Sequence, residues 1–390
     1  MTHSLPDPLT AAASRPPVGL PCILDLEEGE LEATIAAMGQ PPFRARQLWR
    51  ALYHDCATSF ADMTTLSRAF RAELQDAYAV DPLRPVLSRT SSDGQVDKTL
   101  FELRDGEMIE TVLMRYAPDG HRRARRTVCI STQAGCALGC TFCATGQQGF
   151  ARNLSAGEIV SQVIHARRVV RAENKALVER GAGKPDEMPE VTNVVFMGMG
   201  EPLANYENTF AAVRALNHPQ GVNIGARHIT VSTVGLVPGI RRLAREPQQI
   251  NLAVSLHTAD DETRSRMMPV NKRYPIAALI EACREYIALT NRRIFFEYVL
   301  LEAENDTPEH AHGLASLLHG MLCHVNLIPV NPTADGKHRR PAPRRAALFG
   351  DILRQSGVPA TIRQEKGIDI DAGCGQLRAR VAAEPPAADV

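Results

Sequence analysis

The 390-residue sequence is poor in aromatic residues, which occupy 5% of its positions and include a single tryptophan. It contains no apolar run of about 18 residues that would span a bilayer and no N-terminal apolar segment typical of a secretory signal peptide. Lys plus Arg and Asp plus Glu number 44 each, so net charge does not indicate a polyanionic partner. These absences predict a cytoplasmic protein without a membrane span, whose contacts with nucleic acid would depend on local basic segments.

Although the chain has nine cysteines, it lacks two separate pairs of closely spaced cysteines. Zinc sites usually combine two separated pairs of ligands, whereas Cys136, Cys140 and Cys143 form one C-x3-C-x2-C motif. Three thiolates can hold three irons of a [4Fe–4S] cluster and leave the fourth iron open to a substrate. Gly135 and Gly139 allow the loop to fold tightly. The motif therefore predicts an iron–sulfur cluster with these three cysteines as ligands.

Strand-like and helical patterns alternate after the cysteine motif, which is typical of βα units in a parallel sheet. Counting the strand that leads into the motif, six units are predicted, and we favour a partial (β/α)6 barrel over a flat doubly wound sheet. In either fold, ligands bind where the strands end. The predicted strands are 127–133, 191–197, 228–233, 250–257, 293–300 and 324–330, and helices are predicted at 155–172, 206–216, 237–245, 275–289 and 307–320. The charged segment 173–190, which contains glycine and proline, is predicted to be a surface excursion.

Composition divides the chain into four predicted regions. Residues 1–20 and 381–390 are rich in proline and alanine and are predicted to be disordered tails. Residues 21–90, whose pattern is helical from Leu24 to about Ala79, are predicted to form a small helical accessory domain, followed by an α/β catalytic domain at 91–380. Within that domain, residues 98–114 predict a β-hairpin because Asp-Gly separates two alternating apolar runs.

Polar residues follow several of the predicted strands. Gly200 and Glu201 come after one strand, and their carbonyl and carboxylate groups are acceptors for an ammonium donor. Taken alone, each such residue fits an ordinary turn or a polar cap. Because parallel strands end at the same rim, we expect the group to line one ligand site. The remaining members are Ser232, Ser255, Leu256, His257 and Asn331.

Seven short motifs are spread between about residues 25 and 380. They are Glu110 in Ile-Glu-Thr-Val, Cys129, the segment 136–150, Gly-Met-Gly-Glu-Pro at 198–202, Ser-Leu-His at 255–257, the segment 326–331, and Ile-Asp-Ala-Gly-Cys-Gly-Gln-Leu at 370–377. Together they resemble the radical S-adenosylmethionine (SAM) superfamily and, within it, the RlmN and Cfr family of RNA methyltransferases. The chain departs from the family pattern by an arginine-rich stretch between Tyr116 and Thr127 and by a charged segment at 173–190.

The resemblance implies two cofactors, a [4Fe–4S] cluster and SAM, with the amino and carboxylate groups of SAM on the open iron. It implies that Gly200 and Glu201 receive the SAM amino group and that the other rim residues, Asn331 included, hold the rest of the molecule. It further implies a monomer that receives electrons from a carrier such as flavodoxin or ferredoxin.

The family's reaction explains three further residues. Members methylate carbon 2 of an adenosine in 23S ribosomal RNA, and some also modify transfer RNA. Because this carbon lies between two ring nitrogens and is electrophilic, it cannot attack the methyl group of SAM. By resemblance, Cys374 takes a methyl group from one SAM as a thiolate, and a second SAM activates that methyl group. Glu110 would then remove the proton from carbon 2, and Cys129 would release the product through a transient disulfide with Cys374.

The basic segments are predicted to contact RNA phosphates, with a solvated surface as the equally simple interpretation. They comprise Arg44, Arg46 and Arg50, the run 121–126, and the stretch 337–345. The remaining cysteines, Cys22, Cys56, Cys283 and Cys323, show no partner pattern and are interpreted as packing or surface residues.

Two alternatives remain open from the sequence. A Cfr-like enzyme would methylate carbon 8 of adenosine with the same motifs. A protein of another class would bind RNA around a structural iron or zinc site without turnover, and it would not need Cys374.

Overall fold

The computed structural model describes residues 19–120, 123–181, 189–330, 338–363, 367, 370 and 375–378. Its strands are, in chain order, β1 Arg84–Thr90, β2 Val96–Glu102, β3 Met108–Tyr116, β4 Arg125–Cys129, β5 Gln133–Gly135, β6 Phe150–Asn153, β7 Asn193–Phe196, β8 Ile229–Thr233, β9 Asn251–Ser255, β10 Ile294–Leu300, β11 Cys323–Pro329 and β12 Ala360–Ile362. The helices are α1 Glu28–Ala37, α2 Phe43–Trp49, α3 Arg68–Ala77, α4 Ala144–Gln147, α5 Ala156–Glu179, α6 Tyr206–Asn217, α7 Val237–Leu243, α8 Asp261–Met267, α9 Ile276–Thr290, α10 Pro308–Leu318 and α11 Pro343–Gln355.

One ten-stranded sheet dominates the fold, in the order β1-β2-β3-β4-β7-β8-β9-β10-β11-β12. From β4 through β7 to β12 all neighbouring strands are parallel, and helices lie between consecutive parallel strands as crossovers require. In the described sheet, β1 and β12 are its two edges and do not pair. The six predicted βα units and the partial (β/α)6 barrel are therefore confirmed.

The predicted hairpin is also present and extends the sheet beyond the barrel. β2 and β3 pair antiparallel with Glu102 opposite Met108, and Gly106 at φ +88° closes the turn. β3 then pairs antiparallel with β4 and places Val112 opposite Cys129. The hairpin therefore brings one face of β3 to the strand that leads into the cysteine motif.

The N-terminal helices pack on α5 and α6, and their apolar side chains join the same buried core as the barrel. Polar contacts fix this packing. The guanidinium of Arg214 on α6 binds both carboxylate oxygens of Glu27, at 2.7 and 2.8 Å. On α5, the guanidinium of Arg168 donates to the carbonyls of Cys56 and Ala57 at 2.9 and 2.8 Å. The accessory helices are therefore held to the barrel by both apolar and polar contacts.

Three segments differ from the sequence-based expectations. β1 places residues 84–90 in the sheet, although they fall within the predicted helical region. α5 continues to Glu179, into the segment 173–190 that was expected to be a surface excursion, because Glu173 forms an ion pair with Arg115. Within the basic run 121–126, Arg126 lies in β4 and donates to the carbonyl of Pro189 at 2.6 Å. The division into domains itself stays a prediction.

Among the described helices, none combines the length and the apolar character that a bilayer crossing requires.

Candidate active site

The cysteine motif lies in a loop that is fixed at its beginning and in its middle. β5 and β6 pair just before and after it, and the amide of Cys136 donates to the carbonyl of Gly149 at 2.7 Å. Gly135 has φ +81°, and a Cβ atom there would lie 2.0 Å from the oxygen of Gly149, so only glycine fits this close approach. The amide of Thr141 donates to the carbonyl of Met267 at 2.9 Å, which ties the loop to the end of α8.

A cavity of about 430 Å³ opens at the carboxyl ends of the parallel strands. It is lined by most of the residues that the sequence predicted to act together, from both the cysteine loop and the strand ends. The predicted residues on its wall are Cys129, Cys136, Cys140, Cys143, Gly200, Glu201, Ser232, Ser255 and His257. Leu256 does not line it, since its side chain is buried in the apolar core. Asn331 and Cys374 lie outside the described residues.

The cysteine loop has the chemistry that a [4Fe–4S] cluster requires. Burial raises the pKa of the Cys136 thiol to about 11 and also raises that of Cys140, and neighbouring cysteines raise both further. Such thiols lose their protons readily only when a metal cation compensates the charge. In the described chain no three acidic, histidine or cysteine side chains surround a single ion position. A [4Fe–4S] cluster needs no such grouping because each thiolate binds a different iron.

Gly200 and Glu201 form a preorganised acceptor site. Gly200 has φ +96°, and a Cβ there would lie 2.5 Å from the Cβ of Gln133. The amide of Glu201 donates to Oε1 of Gln133 at 2.8 Å, while its own carboxylate oxygens accept from the amides of Leu203 and Val234 at 3.0 and 2.9 Å. Burial raises the pKa of Glu201 to about 7. A ligand ammonium would stabilise the ionised carboxylate, which fits the amino group of SAM.

His257 is held as a neutral imidazole at the end of β9. Its backbone has φ +63°, and its Nδ1 accepts a hydrogen bond from the amide of Val299 at 2.9 Å. Burial lowers the pKa of His257 to about 3, so the ring carries no charge near neutral pH. The ring meets Phe142, which precedes the last cysteine of the motif, edge-on at 4.8 Å between centroids. His257 therefore contributes shape and a neutral polar edge to the cavity.

Glu110 does not line the cavity and is buried behind it. It lies on the same face of β3 as Val112 and Met114, which do line the cavity. The ammonium of Lys98, itself fully buried, lies 2.8 Å from Oε2 of Glu110. The two carboxylate oxygens also accept hydrogen bonds from the backbone amides of Gly375 and Arg378, each at 2.7 Å. Glu110 thus anchors the segment that follows Cys374.

Gly375 places this C-terminal segment beside the cysteine loop. Its carbonyl accepts from the side-chain amide of Gln148 at 2.7 Å. A Cβ atom at Gly375, where φ is +77°, would lie 2.5 Å from Oγ1 and 2.7 Å from the amide nitrogen of Thr145 in α4. Gln376 lines the cavity. The chain on the C-terminal side of Cys374 is therefore packed between Glu110 and the helix that follows the cluster cysteines.

No disulfide joins any two of the eight described cysteines. Cys129 lines the cavity and is 8% exposed. Since Cys374 lies outside the described residues, the transient Cys129–Cys374 disulfide stays a prediction. Cys22, Cys56, Cys283 and Cys323 are buried, and burial raises the pKa of each thiol, as expected of packing residues.

Sequence reasoning did not identify Lys98, Gln133 or Arg264. Lys98 had a signal, because it interrupts an apolar face of β2 formed by Val96 and Leu100. Arg264 had none. Its guanidinium is fully buried and donates to the carbonyls of Val234, Ser255 and Leu256 at 2.7, 3.0 and 3.2 Å. It thereby joins the ends of β8 and β9 at the rim of the cavity.

Comparisons with known proteins agree with this site. Residues 130–314 match the model of the radical SAM superfamily, and residues 22–80 match that of the ribosomal RNA large subunit methyltransferase N-terminal domain. The chain is 48% identical to "Dual-specificity RNA methyltransferase RlmN 1" of Myxococcus xanthus (strain DK1622), over 92% of this chain and 94% of the relative. The chain belongs to the RlmN family. A relative from Roseiflexus sp. (strain RS-1), "Probable dual-specificity RNA methyltransferase RlmN", is 47% identical over 92% of this chain and 96% of its own length.

A solved structure extends the similarity to three dimensions. The crystal structure of a radical SAM methyltransferase from Sphaerobacter thermophilus is 50% identical to this chain and superposes with a TM-score of 0.84, covering 91% of this chain and 98% of the other. The RlmN-family protein is therefore a radical SAM enzyme, with a [4Fe–4S] cluster and SAM as its cofactors. The alternative of an RNA-binding protein without turnover is set aside.

Proposed function

We propose that the chain methylates carbon 2 of adenosine in RNA, with Cys374 as the carrier of the methyl group. The observation that carries the proposal is the anchoring of Gly375, the residue after Cys374, by Glu110 on one side and Gln148 on the other. Both contacts hold this segment beside the cavity that contains Cys129 and the cluster cysteines. Because carbon 2 is electrophilic, a methyl group first bound to sulfur and then activated as a radical matches its reactivity.

The bound cluster and SAM would supply the one-electron chemistry that cleaves SAM. Cys136, Cys140 and Cys143 would hold three irons, Gly200 and Glu201 would accept the amino group of SAM, and the rim at Ser232, Ser255 and His257 would enclose the rest. Leu256 would act through packing and Asn331 as a further contact. The buried wall of the cavity would exclude water from reactive species.

Cys129 and Glu110 would act after the methyl group has joined the base. The Cys129 thiolate would attack the sulfur of Cys374, so that an S–S bond forms as the bond between this sulfur and the transferred carbon breaks, and that carbon would gain a proton to become the methyl group of the product. Glu110 would accept the proton from carbon 2. The ammonium of Lys98, 2.8 Å from Oε2, fixes the orientation of this carboxylate.

The substrate proposed is large-subunit ribosomal RNA, with transfer RNA as a second substrate. The match of residues 22–80 to a ribosomal RNA methyltransferase N-terminal domain supports the first, and the words "dual-specificity RNA methyltransferase" in the names of the relatives fit a second RNA substrate. Tyr116 and Arg363 line the cavity, and Arg125 stacks over the Tyr116 ring at 4.1 Å. A stacked aromatic ring beside guanidinium groups suits an unpaired base and its phosphates. We further infer a cytoplasmic monomer that receives electrons from flavodoxin or ferredoxin.

The test compares Cys374→Ala, Cys129→Ala and the core variant Cys283→Ala in anaerobically reconstituted enzyme with RNA and SAM. We expect Cys374→Ala to abolish methylation, because it removes the sulfur that carries the methyl group. Cys129→Ala should accumulate a covalent protein–RNA adduct, visible on a denaturing gel. Cys283→Ala should form product normally, since Cys283 is buried in the core cluster away from the cavity.

Mass spectrometry of the product nucleoside separates 2-methyladenosine from the 8-methyladenosine of the Cfr-like alternative. Methylated RNA released from both the Cys374 and Cys129 variants would contradict the proposed roles of these thiols.

A further inference from the structure

A row of polar side chains crosses the inner face of the barrel beyond the residues already assigned. In the parallel register, Glu297 on β10 lies opposite Ser255 on β9 and Asn326 on β11. Asn326 lies opposite Thr361 on β12. Residues at one level of a parallel sheet point to the same face, and Ser255 and Glu297 both line the cavity. The four side chains therefore form one row that leads from the rim at Ser255 to the exposed sheet edge.

Hydrogen bonds connect three members of this row and leave one acceptor oxygen without a donor. The side-chain amide of Asn326 donates to Oε1 of Glu297 at 2.8 Å, and the hydroxyl of Thr361 donates to Oδ1 of Asn326 at 3.2 Å. Oε2 of Glu297 is buried and has no hydrogen-bond partner among the residues that the structure describes. Glu297 as a whole is 5% exposed.

A buried oxygen without a hydrogen-bond partner, such as Oε2 of Glu297 within the described part of the chain, destabilises a folded protein. A buried polar atom without a partner keeps the cost of its desolvation uncompensated, so an unpaired oxygen on a cavity wall points to a ligand group that donates a hydrogen bond to it. Burial also raises the pKa of Glu297, although Arg363 lowers it in part.

We propose that Glu297 is a positioning residue whose Oε2 binds a hydrogen-bond donor of an adenosine group in the cavity. This inference rests on the proposed function, because SAM and the target nucleotide each contain adenosine. The donor is then a ribose hydroxyl of SAM, on the side of Ser255, or the amino group of the RNA base, on the side of Arg363. Both groups present the same chemistry to the carboxyl group.

The test uses Glu297→Gln, which keeps the shape of the side chain and an acceptor for Asn326 but replaces Oε2 by an amide donor. Glu281→Gln is the matched control, since the Glu281 side chain on α9 is 69% exposed. Melting temperatures establish that each variant is folded. Glu297→Asp gives a second variant that retains a carboxyl group but shortens its reach.

Two measurements distinguish the sources of the donor. Equilibrium binding of SAM to the reconstituted enzyme without RNA reports on the SAM ribose, and KM against kcat for an RNA substrate at saturating SAM reports on the base. We expect Glu297→Gln and Glu297→Asp either to weaken SAM binding or to raise the KM for RNA by about tenfold, as expected for the loss of a buried hydrogen bond. Glu281→Gln should change neither.

If both folded Glu297 variants bind SAM and RNA within about twofold of the parent enzyme, the inference is wrong and the carboxyl group is only structural. The SAM-binding measurement does not require RNA turnover. A parent enzyme that binds SAM but never methylates RNA would therefore refute the proposed function while leaving the SAM arm of this inference testable.

Discussion

Glu201 shows how burial prepares a single residue for a charged ligand. Its carboxylate accepts two backbone amide hydrogen bonds, yet desolvation is the larger effect and raises its pKa from 4.5 to about 7. A proton is therefore bound more tightly by Glu201 in the folded protein than in the unfolded chain. The site favours a cationic ligand, because only an added positive charge fully compensates the desolvation of the ionised carboxylate.

This shift predicts a pH dependence of stability in protein without cluster or SAM. Below about pH 4.5 the stabilising contribution of the Glu201 proton is complete, and it is lost as the pH rises through about 7. The melting temperature of the parent protein should therefore fall by a few degrees relative to that of Glu201→Gln between about pH 5 and about pH 8. The pH-dependent contribution of His257 to stability is the same in both proteins and cancels in the comparison. Parallel melting curves of the two proteins across this range would contradict the prediction.

Residue-scale prediction from the sequence succeeded where motifs identify chemistry. Cysteine spacing and the Gly-Glu pair located side chains that do line one cavity. The sequence-based prediction missed Lys98, although this lysine interrupts an apolar face of β2, and it missed Arg264, which no pattern marks. For Lys98 the partner is Glu110 in the neighbouring strand, and for Arg264 the partners are backbone carbonyls, which no side-chain pattern reveals.

Short elements around the cysteine loop position the segment that follows Cys374. The β5–β6 hairpin fixes the start of the loop, and α4 begins directly after Cys143 and packs against Gly375. Gly375 and Gly357 both have positive φ, at +77° and +80°. Their surroundings differ, because a Cβ at Gly375 would overlap Thr145 and a Cβ at Gly357 would meet nothing within 4 Å.

We therefore expect Gly375→Ala to displace the segment that carries Cys374 and to reduce RNA methylation at least about tenfold. Gly357→Ala has a similar backbone strain, about 1–2 kcal/mol for an L-residue in the left-handed region, without the overlap, and should leave methylation nearly unchanged. Rates of methyl transfer and melting temperatures of both variants provide the test. Equal losses of activity in the two variants would show that backbone strain alone, and not the contact with α4, is responsible.

At the scale of elements, the sequence predicted the parallel strands because they are buried, nearly continuous apolar runs. It did not predict β12 or α8, which span three and seven residues and are too short for a hydrophobic period to be distinguished. It placed the end of the long helix too early, because charge along α5 resembled a loop, whereas Arg167 and Arg171 pair there with Glu190.

The whole molecule behaves as one packing unit in this structure. Core side chains of the accessory helices and of the barrel belong to a single buried cluster. Trp49, the only tryptophan of the chain, is buried in the accessory helices, and its ring lies 5.1 Å from that of His218, which follows α6. Its fluorescence therefore reports on the contact between the two parts.

A shared core predicts a single unfolding transition. Trp49 fluorescence and far-UV circular dichroism should give melting temperatures that agree within about 2 °C. Arg214→Ala, which removes the ion pair with Glu27, should shift both probes together to lower temperature. A fluorescence transition that clearly precedes the dichroism transition would show that the accessory helices detach first.

The contacts of Glu110 have a consequence for the order of the proposed catalytic steps. The Glu110 carboxylate is 3% exposed and already receives two backbone amides and the ammonium of Lys98, so the C-terminal segment lies between it and the cavity. If Glu110 is the base, as proposed above, the segment after Cys374 has to move off the carboxylate before the proton of carbon 2 can reach it. Release of this segment would then precede deprotonation of the nucleobase.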